Sequence, residues 1–390
     1  MAKKRVLLVH NFYQIGGGEH TVFENEKNLL LENGHEVTAY TRSNDELKTS
    51  KWKLLLLPFT TTWSMKTYFE VRKMIQEKKI DIVHCHNTFP LISPSVYYAA
   101  RSMKVPVVQT VHNFRFLCPN GLFYCNGQTC EKCREQGSFL PALKNGCYRN
   151  SRIQTAVAVA MLTVHRWLGT YKKINYIFLT KFNKSKFSKL IDVCGENVFL
   201  KPNFVNKEEM KWEQPAMKTR FVYSGRLDSY KGIEFLLKVW PTLPEKYELH
   251  IYGDGEYRKA CEAVAQKNAN IRYLGFRPQQ EVFKDLQESA ALLFPSLLYE
   301  GFPMTLAESF GLGRPVVAVN IGNHADIVKN SGGGVLYESG DEESFRAAVA
   351  QIVAENGRYS NCAAQYYAAY LTKEKNYEIL CDIYDKAKSI

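Results

Sequence analysis

The sequence predicts an α/β protein of two doubly wound domains joined by a linker. Three observations predict it. Apolar runs of strand length alternate with longer segments of helical period, and that order gives parallel sheets covered on both faces. The alternation stops at a polar, proline-bearing stretch and then restarts. The segments rich in glycine, cations and carboxylates all follow strands, where open parallel sheets bind their ligands.

The elements run as follows. Arg5–Asn11 reads as a buried strand, Glu19–Glu32 as a helix closed by Gly34, and His35–Thr41 as the next strand. Ser64–Lys79 is helical. Ile80–His86 and Val105–Val111 are strands, followed by an irregular cysteine-rich stretch over 114–150. A helix near 152–171 precedes a strand at Tyr176–Leu179, a helix at Asn183–Leu190 and a strand at Val198–Lys201. Residues 203–218 lack an apolar period and read as the linker. Strands then fall at Arg220–Tyr223, Glu248–Tyr252, Ile271–Leu274, Ala291–Phe294 and Pro315–Val319, with helices at Ile233–Val239 and Tyr257–Gln266.

Bulk composition sets bounds. The chain has 390 residues, of which 45% are hydrophobic, enough for two cores. Lys3, Lys4 and Arg5 lead into a short apolar strand with no long apolar region behind it, which argues against a secretory signal. The segment Ser151 to Lys173 contains Gln154, His165 and Arg166 and is too polar for a membrane span. A cytoplasmic protein is expected, soluble or peripheral at the inner face of the plasma membrane. The net charge of +12 is uneven: residues 1–205 carry 29 Lys+Arg against 14 Asp+Glu, and residues 206–390 carry 22 against 25. A basic first half favours anionic lipid surfaces or phosphorylated substrates, or serves only solubility. Its basic residues form no basic-aromatic stripe, so nucleic acid is not the expected partner.

Three loops carry chemistry. "NFYQIGGGEH" (11–20) opens a helix with three glycines, which suits an anion at a helix N-terminus or a plain tight turn. Thr21 stands where a dinucleotide fingerprint would need its last glycine, which disfavours a nicotinamide oxidoreductase. "YSGRLDSYKGIEF" (223–235) places Arg226 and Lys231 before a helix, a fit for a diphosphate. "PSLLYEGFPMTLAESFGLGRP" (295–315) puts Pro303 at a helix start, so Gly301, Phe302, Pro303 and Met304 form an N-terminal anion site. Glu300 and Glu308 flank that site. A carboxylate in apolar surroundings needs partners: neighbours in the fold, through a helix cap or an ion pair, are one reading, and sugar and ribose hydroxyls of a ligand are the favoured one.

Together these loops resemble the retaining glycosyltransferases of family four, with the two-domain GT-B architecture. The matching features are "GGGEH", "VHN" at 111–113, "GRLDSYKG" at 225–232, "GDG" at 253–255 and "EGFPMTLAE" at 300–308, and the likeness spans nearly the whole chain. The resemblance implies two Rossmann-like domains facing across a cleft. These are an acceptor-side domain over 1–202, a sugar-nucleotide domain over 219–372, and a last helix, 373–390, crossing back to the first domain. It implies that Arg226 and Lys231 bind the donor diphosphate, Glu308 the ribose hydroxyls, and Glu300 the hydroxyls of the transferred sugar. Backbone N–H groups of 301–304 would contact phosphate and sugar, His112 would face the donor sugar, and Gly17 and Gly18 would line the cleft. The expected activity is a retaining, metal-independent transfer (Asp-x-Asp is absent from the sequence) from a UDP- or GDP-sugar to a glycan or lipid-linked saccharide in polysaccharide synthesis. The family's Pro-Asn-Gly triplet is here Pro202-Asn203-Phe204.

The cysteines leave alternatives open. Cys130 and Cys133 have the spacing of a zinc half-site, and Cys118 and Cys147 would complete a structural four-thiolate centre; unliganded thiols read equally well. A sugar-nucleotide epimerase on the same plan, or a zinc-module nucleic-acid binder, are the other readings. The latter leaves Glu300, Glu308, Arg226 and Lys231 without a role.

Overall fold

A computed structural model describes residues 2–14, 18–47, 51–205 and 219–390, and the side chains of all of these except 51–55. Gly17 and most of the expected linker, 206–218, lie outside the described residues.

The chain divides into two compact units. The first comprises 1–123, 131–202 and Tyr377–Ile390, and the second comprises Tyr124–Cys130 and Asn203–Asn376. The expected insertion is therefore shared: Tyr124–Cys130 groups with the second unit.

The first unit holds β1 (Arg5–Phe12), β2 (Glu36–Ser43), β3 (Ile82–Asn87) and β4 (Val107–Val111). The hairpin β5 (Tyr124–Cys125) and β6 (Gln128–Thr129) follows in the chain, then β7 (Asn175–Phe178) and β8 (Val198–Leu200). The six strands of the first sheet are parallel, in the order β2-β1-β3-β4-β7-β8. A sheet covered on both faces leaves no strand face to water, and β3, β4 and β7 are buried throughout, the polar His84, His86, Gln109 and Asn175 included. The final helix, Lys373–Lys386, inserts Leu380, Ile383 and Tyr384 into this core beside Val6, Leu8, Phe23 and Ile82.

The second unit holds β9 (Arg220–Ser224), β10 (Glu248–Tyr252), β11 (Ile271–Gly275), β12 (Ala291–Phe294), β13 (Val316–Val319) and β14 (Gly334–Tyr337). They form a parallel sheet in the order β11-β10-β9-β12-β13-β14. One face packs on a cluster around Trp240, Phe345 and Ile251, the other on Phe310, Leu306 and Phe294. Strand order reverses between β9 and β12, so the loops after these two strands meet at the switch point where such sheets bind ligands.

Several expectations shift. The segment 183–190 is a helix from Lys181 to Lys186, capped by the Thr180 hydroxyl, then a tighter turn over Phe187–Lys189. A helix at Lys51–Thr62 has no counterpart in the sequence reading, because Pro58 sits inside it and its apolar run shows no period. Pro303 is the cap before the helix Met304–Gly311 rather than its first residue.

Candidate active site in the second unit

The site is assembled by two close approaches of backbone. Gly232, at φ +74°, lies against Pro295, where an added Cβ would meet the carbonyl oxygen at 2.1 Å. The Tyr230 carbonyl accepts from Leu297 N–H at 2.9 Å, which fastens the loop after β9 to the loop after β12. Gly253, at φ +132°, comes equally close to the Gly225 carbonyl, and Leu227 N–H donates to the Asp254 carbonyl at 3.0 Å. A side chain at either glycine would collide with backbone and force the loops apart.

This seam brings Lys231 onto Glu300. Lys231 Nζ donates to Glu300 Oε1 at 2.6 Å, and Ser296 Oγ donates to the same oxygen at 2.7 Å. Burial by itself would raise the Glu300 carboxyl. The Lys231 charge and the two hydrogen bonds outweigh it and hold the group below the usual carboxylate range. Glu300 is therefore ionised at neutral pH. Its backbone sits at φ +33°, a region unfavourable for a residue with a Cβ. Asn323, fully buried, holds it there by donating to the Tyr299 carbonyl at 2.7 Å and to the carbonyl of Glu300 itself. Strain of about 1–3 kcal/mol held by a dedicated clamp is typical of a ligand-binding loop.

The strained residue leads through Gly301, Phe302 and Pro303 into the helix Met304–Gly311, whose first N–H groups have no partner within the helix. Glu308 lies in its second turn and accepts from Gln279 Nε2 at 2.6 Å. Arg226 is more exposed than Lys231. Its Nη2 lies 3.2 Å from Asp228 Oδ2 and bonds the Tyr230 hydroxyl, and its guanidinium lies over the Tyr230 ring at 5.4 Å. His324 is buried beside Glu300, and burial pushes its imidazole down to about 4, so it is neutral.

The structure thus gathers Arg226, Lys231, Glu300, Gly301, Phe302, Pro303, Met304 and Glu308 at one end of the second sheet. It adds one relation among them. Lys231 and Glu300, expected to hold different parts of a ligand, form an ion pair with each other, because the switch point places their loops side by side. An ammonium has three donors, and Glu300 engages one. Ser296 and Asn323 were missed; each follows the C-terminal end of a strand, the signal that could have flagged them.

His112 and Gly18 belong to the first unit. His112 follows β4, is 9% exposed, and bonds His86 Nδ1 through Nε2 at 2.9 Å. Burial, then the neighbouring His86 and His10, hold it well below the usual imidazole range. Gly18 opens the helix Gly18–Glu32.

Among the described residues, the metal-like groups whose ligating atoms lie within 4.8 Å of one another reduce to Glu26, His84 and His86. Cys118, Cys130, Cys133 and Cys147 form no such group. The His–Glu group has a cation already: Lys201 Nζ lies 2.6 Å from Glu26 Oε2.

Two parallel doubly wound units of six strands each are the GT-B architecture. Residues 15–131 match the family model described as Glycosyltransferase Family 4, and residues 218–355 match Glycosyl transferases group 1; the chain belongs to this family. It is 22% identical over 359 residues to an uncharacterized glycosyltransferase of Methanocaldococcus jannaschii, covering 84% of this chain and 83% of that one. It is 23% identical over 355 residues to the UDP-Gal:alpha-D-GlcNAc-diphosphoundecaprenol alpha-1,3-galactosyltransferase of Escherichia coli, covering 83% and 79%. Several other relatives match over less than half of their own length. The structure of Anabaena HepE in complex with UDP superposes with a TM-score of 0.64 over 97% of this chain and 98% of that one, at 14% identity. Among the described residues, no helix is long and apolar enough to cross a membrane.

Proposed function

We propose that this glycosyltransferase moves a sugar from a nucleotide-sugar donor, a UDP-sugar in preference to a GDP-sugar, to a glycan or lipid-linked saccharide, with retention of anomeric configuration and without a metal. The observation that carries the reading is the ionised, mostly buried Glu300, held by Lys231 and Ser296 on a strained loop that opens a helix N-terminus. Lys231, Arg226 and the N–H groups of 301–304 take the diphosphate. Glu300 accepts from hydroxyls of the transferred sugar through its second oxygen, and Glu308 from the ribose. The preference for uridine draws support from the printed donor of the E. coli relative and from the UDP complex of the Anabaena protein.

In the reaction, the bond from the anomeric carbon to the phosphate oxygen breaks and its electron pair stays on the diphosphate. The acceptor oxygen bonds the same carbon from the same face, and its proton passes to the departing phosphate oxygen. Cations already fixed at the diphosphate stabilise that charge without reorganising. Water serves as a slow acceptor, so the test needs no acceptor. With an α-linked UDP-hexose and EDTA, proton NMR of the first-formed sugar is expected to give the α-anomer. A β-anomer would refute retention. A donor sugar altered at C2 would favour the epimerase.

The first unit further fits attachment to an anionic membrane surface. It is the basic half of the chain, and Phe59, Phe69 and Trp167 are 74%, 58% and 84% exposed. Co-sedimentation with vesicles containing phosphatidylglycerol is expected to fall as salt rises and to weaken in Trp167→Ser. Equal sedimentation with neutral vesicles would count against it.

A further inference from the structure

Behind His112 the first unit carries a buried polar chain that the proposed chemistry does not use. Glu26, from the helix Gly18–Glu32, is fully buried in the sheet core. Its Oε2 receives Lys201 Nζ at 2.6 Å. Its Oε1 lies 3.0 Å from His84 Nδ1 and 3.4 Å from His86 Nε2. His86 then meets His112: Nδ1 to Nε2, 2.9 Å. His84 bonds Thr110 Oγ1 through Nε2 at 2.7 Å, and its Nδ1 also meets the Tyr384 hydroxyl at 2.8 Å. Helix, two strands, the last residue before Pro202 and the terminal helix therefore converge on one carboxylate.

The order of donors follows from that carboxylate. Ionised Glu26 accepts only, so the ring nitrogens facing it carry the protons. Neither Glu26 Oε1 nor His86 Nε2 has a formed hydrogen bond, and they face each other at 3.4 Å, so the carboxylate's charge favours the proton on the His86 nitrogen turned toward it. With its proton on Nε2, His86 offers a lone pair at Nδ1. His112 must then donate from Nε2. Lys201 balances the charge on Glu26, and a second positive charge on this chain would stand uncompensated in the core.

We propose that Glu26 is a positioning residue which, acting through His86, fixes His112 in its Nε2–H tautomer and leaves Nδ1 as a hydrogen-bond acceptor. A sugar hydroxyl then donates to His112; the functional side of this inference rests on His112 being a sugar contact, as the family resemblance implies. Glu26→Gln reverses the chain. The amide oxygen stays with Lys201, the NH2 group turns to the histidines, His86 moves its proton to Nδ1, and His112 becomes the Nδ1–H tautomer that repels a donor hydroxyl.

The test is nitrogen-15 NMR of the full-length protein labelled at histidine, with His112 assigned by the loss of its signals in His112→Gln. The wild type is expected to show His112 protonated at Nε2, and Glu26→Gln to show it protonated at Nδ1. Turnover of Glu26→Gln is expected to fall ~10–100-fold, by analogy with the loss when the hydrogen-bond partner of a metal-binding histidine is removed, with donor KM little changed. A wild-type His112 protonated at Nδ1 would overturn the proposal, and that readout holds even where the variant does not fold. An unchanged His112 tautomer in a folded Glu26→Gln would overturn it as well. Full turnover in His112→Gln would instead remove the sugar contact, a failure the tautomer measurement tells apart.

Discussion

Lys231→Ala is expected to lower turnover by ~10²–10³, the loss that follows removal of one fixed charge-stabilising donor. The structure adds a second consequence. Lys231 is the partner of a mostly buried carboxylate, so the variant leaves Glu300 with Ser296 alone. A buried group that loses its partner costs about 1–3 kcal/mol. Glu300→Gln in the same chain removes the stranded charge. The double variant is therefore expected to regain stability while remaining slow, because the diphosphate still lacks its cation. Recovery of both together would mean that Lys231 acts on the fold alone.

Lys201→Met is expected to show the largest loss of stability. Glu26 and Lys201 are each about 1% exposed, and breaking such a pair from one side costs about 3–5 kcal/mol. In a unit of this size that lowers Tm by roughly 10 °C. The pH dependence has a definite sign. Burial would raise Glu26, but Lys201 and His84 outweigh it and hold the carboxyl well below its usual range. Its contribution in the wild type is thus present above the unfolded pKa of about 4.3 and lost as pH falls through the folded value. In Lys201→Met burial is opposed only by His84 and His86, so Glu26 rises, and a proton taken up by the carboxyl or by His84 replaces the lost charge. The deficit of the variant is expected to shrink between pH 7 and pH 5. Thermal unfolding at the two pH values checks this, and a constant deficit would contradict it.

What the sequence made legible was what neighbouring residues determine. Glu248–Tyr252 and Ala291–Phe294 were read with their observed bounds, because short apolar runs between turns have few alternatives as buried strands. The donor residues stood out because they follow strands, and the order of the second sheet brings those loops together. The Lys231–Glu300 pair was not legible: the two are 69 positions apart and meet only because β12 pairs with β9. Asn323 was hidden likewise, since its role is to hold carbonyls that lie over 20 positions earlier. Nothing in the helix Glu19–Glu32 singled out Glu26, and only the fold shows that it faces His84, His86 and Lys201 inside the core. The cysteine stretch was legible only as a spacing. A spacing of two residues is compatible with a metal, but the fold sets the remaining ligands, and here it leaves the four sulfurs ungrouped.

The central claim is that the second unit holds a nucleoside diphosphate through Lys231 at the N-terminus of the helix Met304–Gly311. Calorimetric titration of UDP and of GDP, in EDTA, into the wild type and Lys231→Ala tests it most directly. The account predicts that the wild type binds UDP in preference to GDP, and that Lys231→Ala binds at least about 10-fold more weakly, a difference of about 1.4 kcal/mol. Equal affinity in the two proteins, or no binding of either nucleotide to the wild type, would contradict it.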